Sequence, residues 1–247
     1  MIPLKSKKDL EMMRISGRIL AKIMQKLLKV VKSGVSTTEI DSLAQDLIHK
    51  EQAQAAFKGY RGFPATTCVS LNEEIVHGIP SERKLEEGDI ISLDVGINYE
   101  GYFSDLAVTL GIGKIEARRK KLIEVTHDAL YEGIKKARPE NHLYDISYAI
   151  QNHVEKNGFS VVREFVGHGI GASLHEEPEI PNYGRQHEGP LLKSGMVLAI
   201  EPMVNMGTWE TRILDNGWTA VTKDGLPSAH FEHTVALTDN GPEILTN

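Results

Sequence analysis

Over residues 89–110 the chain reads DIISLDVGINYEGYFSDLAVTL, two apolar runs of strand character on either side of Asn98-Tyr99-Glu100-Gly101. A hairpin closes there. Pairing Asn98 with Gly101 sets Asp94 directly opposite Asp105, with β-carbons about 5 Å apart. Two carboxylates facing each other among Ile, Leu and Val repel, and loss of water around them raises the cost. In an arbitrary hairpin one member of such a pair commonly turns to solvent. Two further acids argue against that here, because Glu201 lies in the apolar run 196–203 and Glu232 just before Thr234-Val235-Ala236-Leu237. Four negative charges in apolar strands call for cations, and two divalent ions would neutralise them. His168, in Gly167-His168-Gly169-Ile170-Gly171, sits on a backbone stripped of neighbouring side chains, so it can approach closely and add a nitrogen ligand. His175 is also well placed, whereas His49, His127, His142, His153 and His187 read as ordinary surface or core residues. Oxygen-rich, sulfur-free ligation suits Mn, Fe(II), Co or Zn as Lewis acids, with no choice among them. Two such ions about 3.5–4 Å apart orient a hydroxide toward a carbonyl, so the chemistry predicted is hydrolysis.

Two motif matches fail on context. GHGIGA at 167–172 has the G-x-G-x-x-A spacing of a dinucleotide loop, but Pro178 and Pro181 deny it the helix that would hold a pyrophosphate. His175-Glu176-Glu177-Pro178-Glu179 lacks the second histidine of H-E-x-x-H.

The elements that must carry these residues follow from periodicity. Apolar spacing predicts a helix over 8–31 and, after Ser33-Gly34, a second one opened by the capping-box spacing of Ser36-Thr37-Thr38-Glu39. Strand-like runs follow at 66–70, 90–97 and 102–110. Helical spacing returns from Ile115 and again over 143–154, where Asn157-Gly158 ends it. Strands are then predicted at 161–166, 196–204, 218–221 and 231–237. The order helix, helix, strands occurs twice. Residues 1–112 and 113–247 therefore read as two halves of a duplicated α+β unit, sharing one core within a single domain of 1–247.

Composition excludes several classes. With 247 residues, 40% hydrophobic and 25% charged, the chain matches a compact globular protein and not a disordered or coiled-coil one. Cys68 is the single cysteine, which rules out an internal disulfide framework and fits a reducing compartment, here expected to be the cytoplasm. No apolar run nears the ~20 residues of a membrane span, so no membrane partner is expected. A net charge of −6 lacks the basic footprint of nucleic-acid binding.

Six segments taken together resemble the type I methionine aminopeptidases: NEEIVHGIP at 72–80, Asp94 with Asp105, GHGIG at 167–171, HEEP at 175–178, IEPM at 200–203 and FEHT at 231–234. Their order and spacing agree over nearly the whole chain. The resemblance implies the pita-bread fold, an α+β architecture of two pseudo-symmetric halves around a curved, mostly antiparallel sheet. It implies two divalent metal ions (Co, Mn, Fe(II) or Zn), one chelated by Asp94 and the other by His168 and Glu201, with Asp105 and Glu232 bridging both. Glu201 would also be the general base, His175 would stabilise the developing oxyanion, and His77 would contact the leaving nitrogen or the peptide backbone. Tyr60, Phe63, Cys68, His77 and Trp218 would form the methionine side-chain pocket, with His175 as a further substrate contact. The implied activity is removal of the initiator methionine from nascent polypeptides with a small second residue. A monomer working in the cytoplasm, with the ribosome near the exit tunnel as a further partner, goes with that reading. The chain departs from the family's usual residues at Arg61 and Leu174 on the pocket rim, and at 137–141, where a Pro-Gly turn is usual. Two other readings share the fold: an Xaa-Pro peptidase, and a metal-free binding protein, against which the presence of all five ligands argues.

Overall fold

The computed structural model describes residues 2–247. Four helices, α1 (Lys7–Leu28), α2 (Thr37–Lys50), α3 (Ala117–Lys136) and α4 (Leu143–Lys156), come in two pairs, and none is long and apolar enough to cross a membrane. Ser36 and Glu39 form the predicted capping box of α2, and Ser6 with Asp9 forms another on α1. Helix α1 stops at Leu28, short of the predicted 31, yet Val31 stays buried and extends its apolar face.

One nine-stranded sheet runs between the helix pairs. Its neighbours are, in order, Gln54–Ala55, Ile90–Tyr99, Tyr102–Gly111, Glu232–Thr238, Val197–Ile200, Gly167–Gly169 and Glu176–Ile180. Cys68–Leu71 adds to Ile90–Tyr99 and Gly241–Ile244 to Glu232–Thr238, and every pairing is antiparallel. Side chains alternate between the two faces of a strand. Ile91, Leu93, Val95, Ile97 and Leu106 accordingly pack with α1 and α2, while Leu198, Ile200, Val235 and Leu237 pack with α3 and α4. Each such fully buried side chain contributes about 1.5–3 kcal/mol, which fixes one face of the sheet inward against helices. The alternate residues, Asp94, Asp105 and Glu232 among them, are thereby turned to the other face.

The hairpin register corrects the sequence expectation. Tyr99 pairs with Tyr102, and only Glu100 and Gly101 turn, both at positive φ (50° and 87°), as two-residue hairpins of type I′ favour. Asn98 joins the strand, and its Oδ1 accepts the Gly101 N–H at 2.9 Å. Asp94 therefore pairs with Ala107 and Asp105 with Gly96, so the aspartates are diagonal neighbours and not directly opposed. The slip is even, so both stay on one face.

Two segments leave the large sheet side by side. Beyond Ile200 the chain passes Glu201-Pro202 and resumes as Met203–Asn205, and Glu232 is reached from Ser228–His230; these two short strands pair in a separate sheet with Ser160–Val161. The Thr109 hydroxyl substitutes for the ladder at this crossing. It donates to the His230 carbonyl at 2.6 Å and accepts the His230 N–H at 2.9 Å. Its one hydrogen being used, it must accept from the Ser92 hydroxyl at 2.8 Å. Thr109→Val leaves these groups unpaired, and each buried orphan costs about 1–3 kcal/mol. The melting temperature should fall by roughly 2–4 °C per kcal/mol lost, with Thr109→Ser close to wild type. Calorimetry showing Thr109→Val unchanged would remove the clamp from the account.

Candidate metal centre and substrate cavity

Asp94, Asp105, Glu232, Glu201 and His168 come from five consecutive neighbours in the large sheet, Glu201 standing one residue beyond the Val197–Ile200 strand. All are buried except Glu201, which is half-buried. Local sequence explains their approach. A β-carbon on Gly167 would lie 2.5 Å from the Ala199 carbonyl oxygen, and one on Gly169 would collide with the Glu177 carbonyl, so only glycines let the flanking strands close around His168. The Thr234 hydroxyl accepts the Asp105 N–H and donates to its carbonyl, both at 2.9 Å, wedging a side chain into the ladder where Asp105 turns inward.

The electrostatics of this cluster favour a cation. Burial first, then Asp105 and Glu201, hold the Asp94 carboxyl well above the usual range; burial and then Asp105 do the same to Glu201. Glu232 is raised by burial and by Asp105, Glu201 and Asp94, and burial pushes Asp105 up to about 7. Asp94 Oδ1 and Glu232 Oε1 are buried without any hydrogen-bond partner. Four carboxylates crowded together, three of them buried, stay ionised only with a compensating cation. His168 supplies a second test. Burial pushes its pKa down to about 4, so the ring is neutral. Its Nδ1–H donates to the Gly169 carbonyl at 2.8 Å, which leaves a lone pair on Nε2, 3.5 Å from Oε1 of Glu201. Two lone-pair atoms face each other across a gap that a cation would fill. The donor set thus fits divalent metal.

Asp105, His168 and Glu232 offer ligand atoms within 4.8 Å of one another, as do Glu201, His230 and Glu232. A third group, His142, Asp145 and His187, has a structural explanation: the two Asp145 oxygens accept the His142 and His187 N–H groups at 2.8 and 3.0 Å, capping α4. His230 was not singled out from the sequence. Its signal was its place two residues before Glu232, which in an extended chain puts both on one face.

All the residues assigned to the site from sequence line one cavity of about 160 Å³: Asp94, Asp105, His168, Glu201 and Glu232 at its floor, with Tyr60, Phe63, Cys68, His77, His175 and Trp218. Drug-sized ligands occupy about 300–1,000 Å³, so this space suits one side chain. Phe57, Arg61 and Leu174 complete the lining; Phe57, on a short connection after α2, carries no periodic signal. Phe63 meets Trp218 edge-on at 5.2 Å between centroids, and His77 meets Phe165 at 5.5 Å. Cys68 pairs with Asp94 in register, and burial followed by Asp94 raises its thiol well above the ordinary range, so it packs as a neutral group. At the mouth, His175 Nδ1 lies 2.9 Å from the Tyr60 hydroxyl, with the two rings stacked 5.1 Å apart. Partial desolvation, with smaller contributions from His168, Arg61 and His77, brings the His175 pKa down to about 3. A neutral imidazole whose Nδ1 accepts from Tyr60 carries its proton on Nε2.

A curved antiparallel sheet that gathers four carboxylates and an imidazole beside a one-side-chain cavity defines a metallohydrolase. The profile of metallopeptidase family M24 matches residues 11–239. The chain is 51% identical to methionine aminopeptidase of Clostridium perfringens over 246 residues, 100% of this chain and 99% of the relative. It superposes on the crystal structure of methionine aminopeptidase from Rickettsia prowazekii with a TM-score of 0.99 at 40% identity, covering 100% of both chains. The chain belongs to metallopeptidase family M24, among its methionine aminopeptidases. The pita-bread fold follows from that membership, and the likeness to Pyrococcus horikoshii prolidase, at 22% identity, a TM-score of 0.79 and 63% of that chain, extends to fold alone.

Proposed function

We propose that this chain hydrolyses the peptide bond after an N-terminal methionine, with Asp94, Asp105, His168, Glu201 and Glu232 as the residues that would hold two divalent ions. The observation that carries the reading is the convergence of unpartnered buried carboxylate oxygens beside a cavity of about 160 Å³. When bound, the ions supply Lewis acidity, polarising the scissile carbonyl and making water a nucleophile at neutral pH. The remaining work belongs to side chains. Glu201 accepts the proton of the attacking water. His175 donates its Nε2–H to the developing oxyanion, in the tautomer whose Nδ1 accepts from the Tyr60 hydroxyl. His77 contacts the leaving amide nitrogen. Tyr60, Phe63, Cys68, His77 and Trp218 enclose the thioether, whose flexible, polarizable chain packs well against aromatic rings.

The same proposal takes 1–247 as a single catalytic domain acting as a monomer in the cytoplasm. Its substrates are nascent chains with a small second residue, met near the ribosomal exit tunnel. The test is chelation followed by stepwise return of Mn, Fe(II), Co and Zn, with Met-Ala-Ser and Xaa-Pro peptides as substrates. Metal-restored release of methionine from Met-Ala-Ser is expected. Preferential cleavage of Xaa-Pro bonds would establish the prolidase-type reading instead.

A further inference from the structure

His230 is buried at 2% exposure, and its Nε2 has no hydrogen-bond partner. That atom lies 3.5 Å from Oε2 of Glu201, while the other oxygen, Oε1, faces the Nε2 lone pair of His168 at 3.5 Å. The Glu201 carboxylate is therefore bracketed by two imidazoles that are not equivalent. His168 is locked as an Nδ1–H tautomer by the Gly169 carbonyl and has no proton to offer. Nothing locks His230 in that form. We propose that His230 is a positioning residue of the hydrolytic centre, its Nε2–H donating to Oε2 of Glu201 and leaving Oε1 for the cation.

Three observations support this assignment. The backbone of His230 is held on both sides by the Thr109 hydroxyl at 2.9 and 2.6 Å, so the ring is presented from a fixed anchor. Glu201 stands beside it at the adjoining sheet crossing, where Met203 pairs with His230, and the Asn182 amide donates to the Glu201 carbonyl at 3.0 Å. The 3.5 Å separation lies just beyond the range of a formed N–H···O bond, about 2.7–3.2 Å, so the assignment calls for the Glu201 side chain to turn toward the ring. Oε2 has two lone pairs, so one accepts from His230 and the other stays available for the proton taken from water. Partners that hold a metal-binding carboxylate set its orientation, and their removal typically costs about 10–100-fold in activity or metal affinity.

The inference rests on the role proposed above for Glu201. Glu201→Gln with full activity would discard that role, whereas the tautomer of His230 is a separate observable. In ¹⁵N-histidine-labelled protein, before and after loading with Zn, long-range ¹⁵N–¹H spectra should give one ring with its proton on Nε2 that disappears in His230→Gln. His230→Leu should lower kcat about 10–100-fold with KM changed less than about twofold, and His230→Gln, which keeps an N–H donor, should recover most of the loss. Manganese affinity of His230→Gln, measured by calorimetry, should match wild type. A lone pair on Nε2, a metal-shifted Nε2 resonance or an unaltered kcat in His230→Leu would overturn the assignment. Should His230→Leu not fold, the tautomer of the wild type and the kinetics of His230→Gln still decide.

Discussion

Glu201→Gln should give a folded protein with almost no turnover. The substitution keeps the volume and one acceptor oxygen, but it removes the proton acceptor and one anionic donor together. Loss of a positioned general base alone costs about 10²–10⁴ in rate, and kcat at saturating metal should fall by at least that much. Stability of the metal-free protein should move the other way. Burial and Asp105 hold the Glu201 carboxyl well above its ordinary range, so a neutral amide there removes its burial cost and its repulsion on Asp94 and Glu232. Thermal unfolding after chelation should show no loss relative to wild type. Near-normal kcat would remove Glu201 from the mechanism; a collapsed melting temperature would give it a structural role instead.

His175→Ala is the second large effect expected. Removing one donor to an oxyanion typically costs about 2.7–4 kcal/mol, or 10²–10³ in kcat. The residue lies at the exposed mouth, so its removal should leave melting temperature and metal binding nearly unchanged. Tyr60→Phe separates orientation from donation. It leaves the imidazole in place but frees Nδ1, 2.9 Å from the lost hydroxyl, and so allows the unproductive tautomer. Its kcat should lie between those of wild type and His175→Ala. Steady-state kinetics on a Met-Ala-Ser substrate would show it, and equal kcat values for all three proteins would refute the oxyanion role.

The five candidate donors stood out because each is an ionisable or nitrogen-bearing residue in a place that otherwise favours apolar or glycine residues. Asp94 is an acid within a run of buried strand residues, and His168 sits between two glycines. The pairing of Asp94 with Asp105 was less legible. Asn98-Tyr99-Glu100-Gly101 marks a turn without saying which two residues make it, and Glu100 at φ 50° is a conformation its type does not advertise. The conclusion survived because side-chain orientation repeats every two residues, and the slip was of that length. His230 stayed hidden for a different reason. Between Ala229 and Phe231 it looks like an ordinary strand residue, and only the paired sheet crossing at Pro202 and Phe231 carries it to Glu201. Phe57 depends on loop geometry, for which a single sequence has no period to read.

The five strands that present the donors straddle a seam. Tyr102–Gly111 and Glu232–Thr238 share only two registered pairs, Glu232 with Ala107 and His233 with Leu106, and this is where the strands of the two halves join. On the metal assignment proposed above, an ion held by Asp105 and Glu232 would reach across this junction as a clasp. At a free concentration a hundred times its dissociation constant, a ligand adds about 2.7 kcal/mol to the folded state. Amide protons along this junction should therefore exchange first once metal is withdrawn, and starvation for metal would tax the enzyme's lifetime as well as its rate.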